Sequence, residues 1–422
     1  MRRATDAQRQ ELHRTFEALC RIESPSGRER ACAEWVAGQL RTLGLEVQED
    51  RGYGGSDGAN LFTRIPGQGS ESVLLCAHLD TVPPLAPIEP VLVNNGWENA
   101  NDGILGADNK AAVAVLLELA RRLMEGRDLA REGAGDQVHD AVEGRSPPDA
   151  AAGPSSPNVA EGRSPPDAAA RRSDRAGVEL LFTVSEEDGL HGAKAFDATR
   201  LQSSFGYVFD HASPIGEIVI GSPTYDRVGA EIRGRAAHAG IRPEQGRSAI
   251  AVAASAIAAM SLGRLDPHTT ANVGTIHGGT ATNVVPERCA IEAEVRGLDE
   301  RRVEEMTTEL IDHLQDAANA GECDLDVTVE VMFRGYRCKS SAREVIVAEQ
   351  ALRACGYEPR HILTGGGSDA NALRVNGFPC TNLANGTERN HEPGERVSVD
   401  ALEGMFEVAI ALVQAAGEQE TT

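Results

Sequence analysis

Three short apolar runs in this chain stop abruptly at turns rich in histidine and acid. Ser72–Ala77 runs into His78-Leu79-Asp80, Val178–Val184 into Ser185-Glu186-Glu187-Asp188-Gly189, and Gly206–Phe209 into Asp210. Runs this short that are apolar throughout, rather than alternating, fit strands buried on both faces. Helical spacing covers Lys110–Met124 between the first two, and also Asp6–Leu43, Ala342–Cys355 and Val399–Ala415. Helices interleaved with doubly buried strands predict an α/β domain, a mixed sheet flanked by helices. In such sheets ligands bind beyond the carboxyl ends of strands, which is where these polar residues fall.

Two regions depart from that style. From about Tyr225 to Phe333 the order reads strand (Val228–Ile232), helix (Gly246–Leu262), strands (Ala271–Ile276, Cys289–Val295), helix (Glu300–Ala318), strand (Leu325–Met332). This β-α-β-β-α-β order predicts a smaller α+β unit at 225–333, inserted between two parts of the larger domain at 1–224 and 334–422. At 422 residues the chain is long enough for two cores. From Arg127 to Arg175 the composition turns to Ala, Gly, Pro, Ser, Asp and Arg, and Glu143–Ala152 recurs verbatim as Glu161–Ala170. A duplicated low-complexity stretch of this kind reads as a flexible loop insertion.

The net charge of -23 argues against nucleic acid or an anionic membrane as a partner. No apolar stretch nears the ~20 residues of a membrane span, and no signal peptide is read at Met1–Asp6. Eight cysteines stand singly, with no C-x-x-C pair, which fits reduced thiols and a cytoplasmic location.

The polar residues carry the chemistry. His78 and Asp80, two apart on an extended chain, point the same way, so the carboxylate can fix the imidazole tautomer a metal needs. Taken alone, the pair reads better as a surface His beside a turn Asp. Asp108, in Gly106-Ala107-Asp108-Asn109-Lys110, is by itself either a helix N-cap or a bridging carboxylate. Adjacent Glu186 and Glu187 at a buried strand end permit one to bind a metal and the other to move a proton. Gly365-Gly366-Gly367-Ser368-Asp369 supplies a backbone-rich turn, and Asn390-His391-Glu392-Pro393-Gly394-Glu395 supplies a loop His. Together they offer two His and three carboxylates with one Glu to spare. That mixed N/O donor set suits zinc, with cobalt or manganese as substitutes.

With these motifs in this order, the sequence resembles the zinc peptidase family that contains peptidase T, aminoacylase and carboxypeptidase G, over almost the whole chain outside Arg127–Arg175. The resemblance implies a catalytic domain interrupted by a dimerisation lid, and two Zn2+ ions. His78 and Asp210 would bind one, Glu187 and His391 the other, and Asp108 would bridge them. Asp80 would orient His78, and Glu186 would be the general base. Arg235-Ala236-Ala237-His238-Ala239-Gly240 matches the lid motif whose His reaches the partner's active site, and Asn283, Arg296, Gly366 and Ser368 fall at substrate-binding positions. Two positions depart from the family pattern: Ala112 stands where Gly is frequent, and Glu392 where Thr or Ser follows the ligand His.

The expected function is hydrolysis of short peptides by a homodimer, closest to tripeptidase-like members that release an N-terminal residue. An N-acyl amino acid amidohydrolase with the same metals is the alternative. A non-catalytic dimeric binding protein on the same fold is the other class, disfavoured because every ligand and the base are present.

Overall fold

The computed structural model describes residues 3–135 and 175–418, with side chains described to Gly126 and again from Arg175. Its largest sheet has nine strands. Along it run Gln48–Asp50, Asn60–Ile65, Gly177–Thr183, Ser72–His78, Gly206–His211, Cys380–Ala384, Glu217–Ser222 and Tyr336–Arg337, with Arg360–Leu363 also paired to Glu217–Ser222. The four central strands, Gly177–Thr183, Ser72–His78, Gly206–His211 and Cys380–Ala384, are mutually parallel, while Asn60–Ile65 and Glu217–Ser222 flank them antiparallel. Parallel pairing puts the carboxyl ends of all four on one edge, with His78 opposite Thr183. That single fact gathers the polar turns.

Burial on both faces follows the two-residue period of a strand. Val73, Leu75 and Ala77 pack into one core with helices Asp6–Cys20, Ala107–Gly135 and Val399–Gly417, whereas Leu74 and Cys76 join Phe62, Leu181, Val208 and Leu373 on the other face. A four-stranded sheet, ordered Thr387–Glu388, Arg396–Ser398, Gly96–Asn99, Pro90–Val93, ties the His391 loop to the segment before Asp108.

The second sheet has five antiparallel strands in the order Gly263–Asp266, Thr269–Gly278, Arg288–Gly297, Thr224–Arg233, Asp324–Phe333. Helices Ala249–Ala259 and Glu300–Ala320 cover one face, and burial alternates residue by residue along Thr224–Arg233. The order expected from sequence is kept, with the short strand Gly263–Asp266 added. The helix expected over Gly246–Leu262 starts later, at Ala249, where the Ser248 hydroxyl accepts the Ala251 N–H at 3.2 Å. It ends at Ala259, and the left-handed Gly263 opens the strand beyond.

Two further expectations need correction. The helical spacing over Asp6–Leu43 resolves into two helices, Asp6–Cys20 and Arg30–Thr42. Pro25 disfavours helical backbone at Ser24, and the broken segment is put to use: the Ser24 hydroxyl donates to the Leu79 carbonyl at 2.8 Å and the Ser26 hydroxyl to Asp80 at 2.7 Å. The helix expected over Lys110–Met124 spans Ala107–Gly135, so it enters the stretch read as a loop insertion. Leu, Ala, Arg and Glu in Arg127–Glu132 are good helix formers and can carry a helix on without an apolar stripe. Both copies of the repeat lie outside the described residues. The eight cysteines are all free, and no described helix is long and apolar enough to cross a membrane.

Candidate metal centre

His78 ends its strand 1% exposed, with Nδ1 2.9 Å from the Asp80 carbonyl oxygen and 3.4 Å from Asp80 Oδ1. A ring held this way carries its proton on Nδ1 and leaves Nε2 free to ligate. Nε2 faces Asp108 Oδ1 and Asp210 Oδ1, each at 3.4 Å. The other oxygen of Asp108, Oδ2, lies 3.4 Å from His391 Nε2, which in turn is 2.9 Å from Glu187 Oε1. Asp108 thus presents one oxygen to each imidazole. Asn390 and Asn109 steady the two carboxylates, donating to Asp108 Oδ2 at 2.7 Å and to Asp210 Oδ1 at 3.3 Å.

Ligand atoms of His78, Glu186 and Asp210 lie within 4.8 Å of one another, as do those of His78, Asp108 and Glu187. His78 Nε2 and Asp108 Oδ1 are buried without a hydrogen-bond partner, and Glu187 Oε1 faces the His391 ring at 2.9 Å. Orphaned buried acceptors converging on a point are costly unless a cation joins them, so the residues present fit a metal centre. Without one, electrostatics are strained. Burial and the neighbouring Asp210 push Glu186 well above the usual carboxylate range, and burial and Asp108 do the same to Asp210. Burial alone would lower His78, but Asp210, Asp108 and Asp80 overcome it and hold the ring well above its ordinary value. Contacts with Asp108 and Glu187 raise His391 to about 10.

Asp80 does more than face His78: its two oxygens accept the backbone N–H groups of Glu186 at 3.0 Å and Glu187 at 3.1 Å. Sequence reasoning missed two other buried carboxylates. Glu395 accepts the N–H groups of Leu105, Gly106 and Asp108 at 2.9, 2.7 and 2.8 Å, which binds the His391 loop to the start of the Asp108 helix. Glu29 accepts the Ser185 N–H and hydroxyl. The spacing His391-x-x-x-Glu395 was the one available signal.

The other expected positions make contacts of their own. His238 is exposed on the loop that follows strand Thr224–Arg233, where its Nδ1 accepts the Gly240 N–H at 3.2 Å. Asn283 is exposed beside it, its carbonyl accepting the Ala239 N–H at 2.9 Å. Arg296 stacks over Tyr225 at 4.1 Å, pairs with Glu294 at 3.0 Å and reaches the Gly365 carbonyl at 3.5 Å. Gly366 accepts the Ser222 hydroxyl at 2.8 Å, and Ser368 is buried at the start of helix Asp369–Val375. Among the described residues no hydrogen bond or ion pair links His238 or Asn283 to the metal-ligand cluster.

Comparison with known proteins places this geometry in context. Residues 225–322 match the M20-type peptidase dimerisation domain, and residues 60–134 match peptidase family M28. The crystal structure of aminopeptidase PepT from Bacillus cereus is 31% identical with a TM-score of 0.77, covering 97% of this chain and 99% of that one. A tripeptidase from Staphylococcus aureus is 28% identical with a TM-score of 0.81, over 97% of this chain and 99% of its own. The uncharacterized protein YqjE of Bacillus subtilis is 31% identical over 406 residues, 96% of this chain and 97% of that protein.

Proposed function

This chain belongs to the M20 peptidase family and is a metal-dependent hydrolase, and from that premise we propose that it is a two-zinc aminopeptidase releasing the N-terminal residue of tripeptides. The observation that carries the reading is Asp108, whose two oxygens face His78 and His391 at 3.4 Å each. A carboxylate with one oxygen toward each imidazole is placed so that two ions could share it. His78 and Asp210 would hold one ion, Glu187 and His391 the other, and Asp108 both.

Bound there, the metals would lower the pKa of a coordinated water and polarise the scissile carbonyl. The chain's own residues do the rest. Asp80 fixes the His78 tautomer and anchors the Glu186 and Glu187 amides. Glu186, buried and 8% exposed, accepts the proton of the attacking water and delivers it to the leaving amine. His238, exposed and unattached to its own chain's cluster, would serve the partner subunit of a homodimer by stabilising the oxyanion. Arg296 and Asn283, with the Gly366–Ser368 turn, would receive the peptide.

Product analysis by mass spectrometry tests this reading. Zinc-loaded protein is given a free tripeptide and its N-acetylated twin, with a chelator control. Loss of the N-terminal residue from the free peptide alone supports it. Cleavage of the blocked peptide alone moves the function to N-acyl amidohydrolase. Glu186→Gln should retain metal yet lose about 10²–10⁴-fold in kcat, the usual contribution of a positioned acid–base group; near-normal turnover removes Glu186 from the proton path.

A further inference from the structure

Glu29 takes no part in the chemistry above, yet its carboxylate is fully buried at 0% exposure. Its hydrogen-bond partners are all uncharged donors. Oε1 accepts the Gly27 N–H at 2.9 Å, the Ser185 N–H at 3.0 Å and the Ser185 hydroxyl at 2.9 Å, and Oε2 accepts the Ser56 hydroxyl at 2.5 Å. Burying a carboxylate without a counter-charge is expensive, and a site needing only packing is better served by an apolar group. The cost points to what Glu29 holds.

Ser185 sits at φ +52°, in the left-handed region that residues with a Cβ avoid. It directly precedes Glu186 and Glu187. On an extended strand these two would point to opposite faces, but both carboxylates reach ligand atoms of one cluster, Glu186 beside His78 and Asp210 and Glu187 beside His78 and Asp108. The left-handed turn at Ser185 makes that convergence geometrically accessible. Three consecutive amides, those of Ser185, Glu186 and Glu187, are captured by Glu29 and Asp80.

We propose that Glu29 is the positioning residue of the Glu186–Glu187 pair, holding Ser185 in the left-handed turn that aims both carboxylates into the metal centre. The inference rests on the reading of Glu186 as the proton carrier. It also makes a statement about the metal-free chain, which can be tested without turnover.

Glu29→Gln is close to isosteric, removing the charge and exchanging one acceptor oxygen for an NH2 donor, so the fold is expected to survive; Ser185→Ala, which loses only the hydroxyl bond, is the milder second variant. Hydrogen–deuterium exchange of metal-free protein should show the Val184–Asp188 amides exchanging faster in Glu29→Gln, with the strand core unchanged. In the zinc-loaded enzyme, Glu29→Gln should lower kcat by about tenfold or more with KM within about threefold, the pattern of an interaction that matters in the transition state. In a Ser185→Gly background, where the left-handed turn carries no Cβ penalty, the same substitution should lower kcat by only about twofold, since coupled residues are non-additive. Equal loss in both backgrounds, or unchanged exchange and turnover in Glu29→Gln, overturns the proposal. If wild-type protein cleaves no peptide, the functional reading fails, and the exchange measurement still decides whether Glu29 orders the turn.

Discussion

Asp108 and the two histidines facing it are where the chemistry of single residues is most exposed to test. In the metal-free protein, Asp108 and Glu187 raise His391 from its ordinary 6.5 to about 10. Its folded-state value lies above the unfolded one, so its contribution to metal-free stability is complete below about pH 6.5 and is lost as pH rises through about 10. Metal needs the neutral ring. Zinc binding at pH 7–8 should therefore release protons, and affinity should rise with pH; calorimetry in buffers of different ionisation heat reads this, and no proton release would contradict it. Glu395→Ala removes the acceptor of three N–H groups around Asp108 and should weaken metal binding about 10–100-fold, as loss of a ligand's support typically does. At this scale the candidate ligands His78, Glu187 and Asp210 were legible because each follows the end of an apolar strand, whereas Asp108, opening a helix, and His391, in a loop, stood out only through the family resemblance. Glu29 and Glu395 were not legible, because they bind backbone amides 156 and up to 290 positions away, and beyond the His391-x-x-x-Glu395 spacing nothing in local sequence marks such pairs.

Strands and helices owe their placement to close backbone approach as much as to apolar pattern. Gly192, in helix His191–Ala195, leaves no room for a Cβ, which would meet the Val184 carbonyl oxygen at 2.4 Å and Asn60 Oδ1 at 2.5 Å. Asn60 itself links this helix to the strand before Glu186, donating to the Gly192 carbonyl and accepting the Val184 N–H. Gly192→Ala should cost about 1–3 kcal/mol by overpacking, read as a fall in thermal or denaturant midpoint, with a drop in kcat because Val184 leads into the catalytic turn. A wild-type midpoint would contradict the contact. Three of the four parallel strands were visible as unbroken apolar runs; Cys380–Ala384, interrupted by Thr381 and Asn382, was not. The break at Ser24-Pro25-Ser26 was masked by helical spacing on both sides, and its purpose, bonding Leu79 and Asp80, exists only in the folded chain. The strand Gly263–Asp266 is too short and too polar to show periodicity.

At the level of the whole molecule, the role proposed for His238 would make the active unit a homodimer, since among the described residues no hydrogen bond or ion pair joins it to its own chain's cluster. If His238 serves the partner, Glu186→Gln and His238→Ala homodimers should each be nearly inactive. Their statistical mixture should regain about one quarter of wild-type activity, because half the dimers pair the two variants and each such dimer assembles one complete site from both subunits. A mixture as inactive as its parents would place His238 outside the partner's site. The order of α/β and α+β segments was readable from the switch in hydrophobic period, whereas the pairing of Arg396–Ser398 with Gly96–Asn99, which joins the His391 loop to the Asp108 segment, links strands too distant in sequence to be inferred. The most direct test of the shared metal centre is the metal content per chain after zinc loading and passage over a chelating resin. Two ions per wild-type chain, falling to one or none in Asp108→Ala, is the predicted result; a wild-type chain that saturates at one ion, or an Asp108→Ala chain that still holds two, would contradict it.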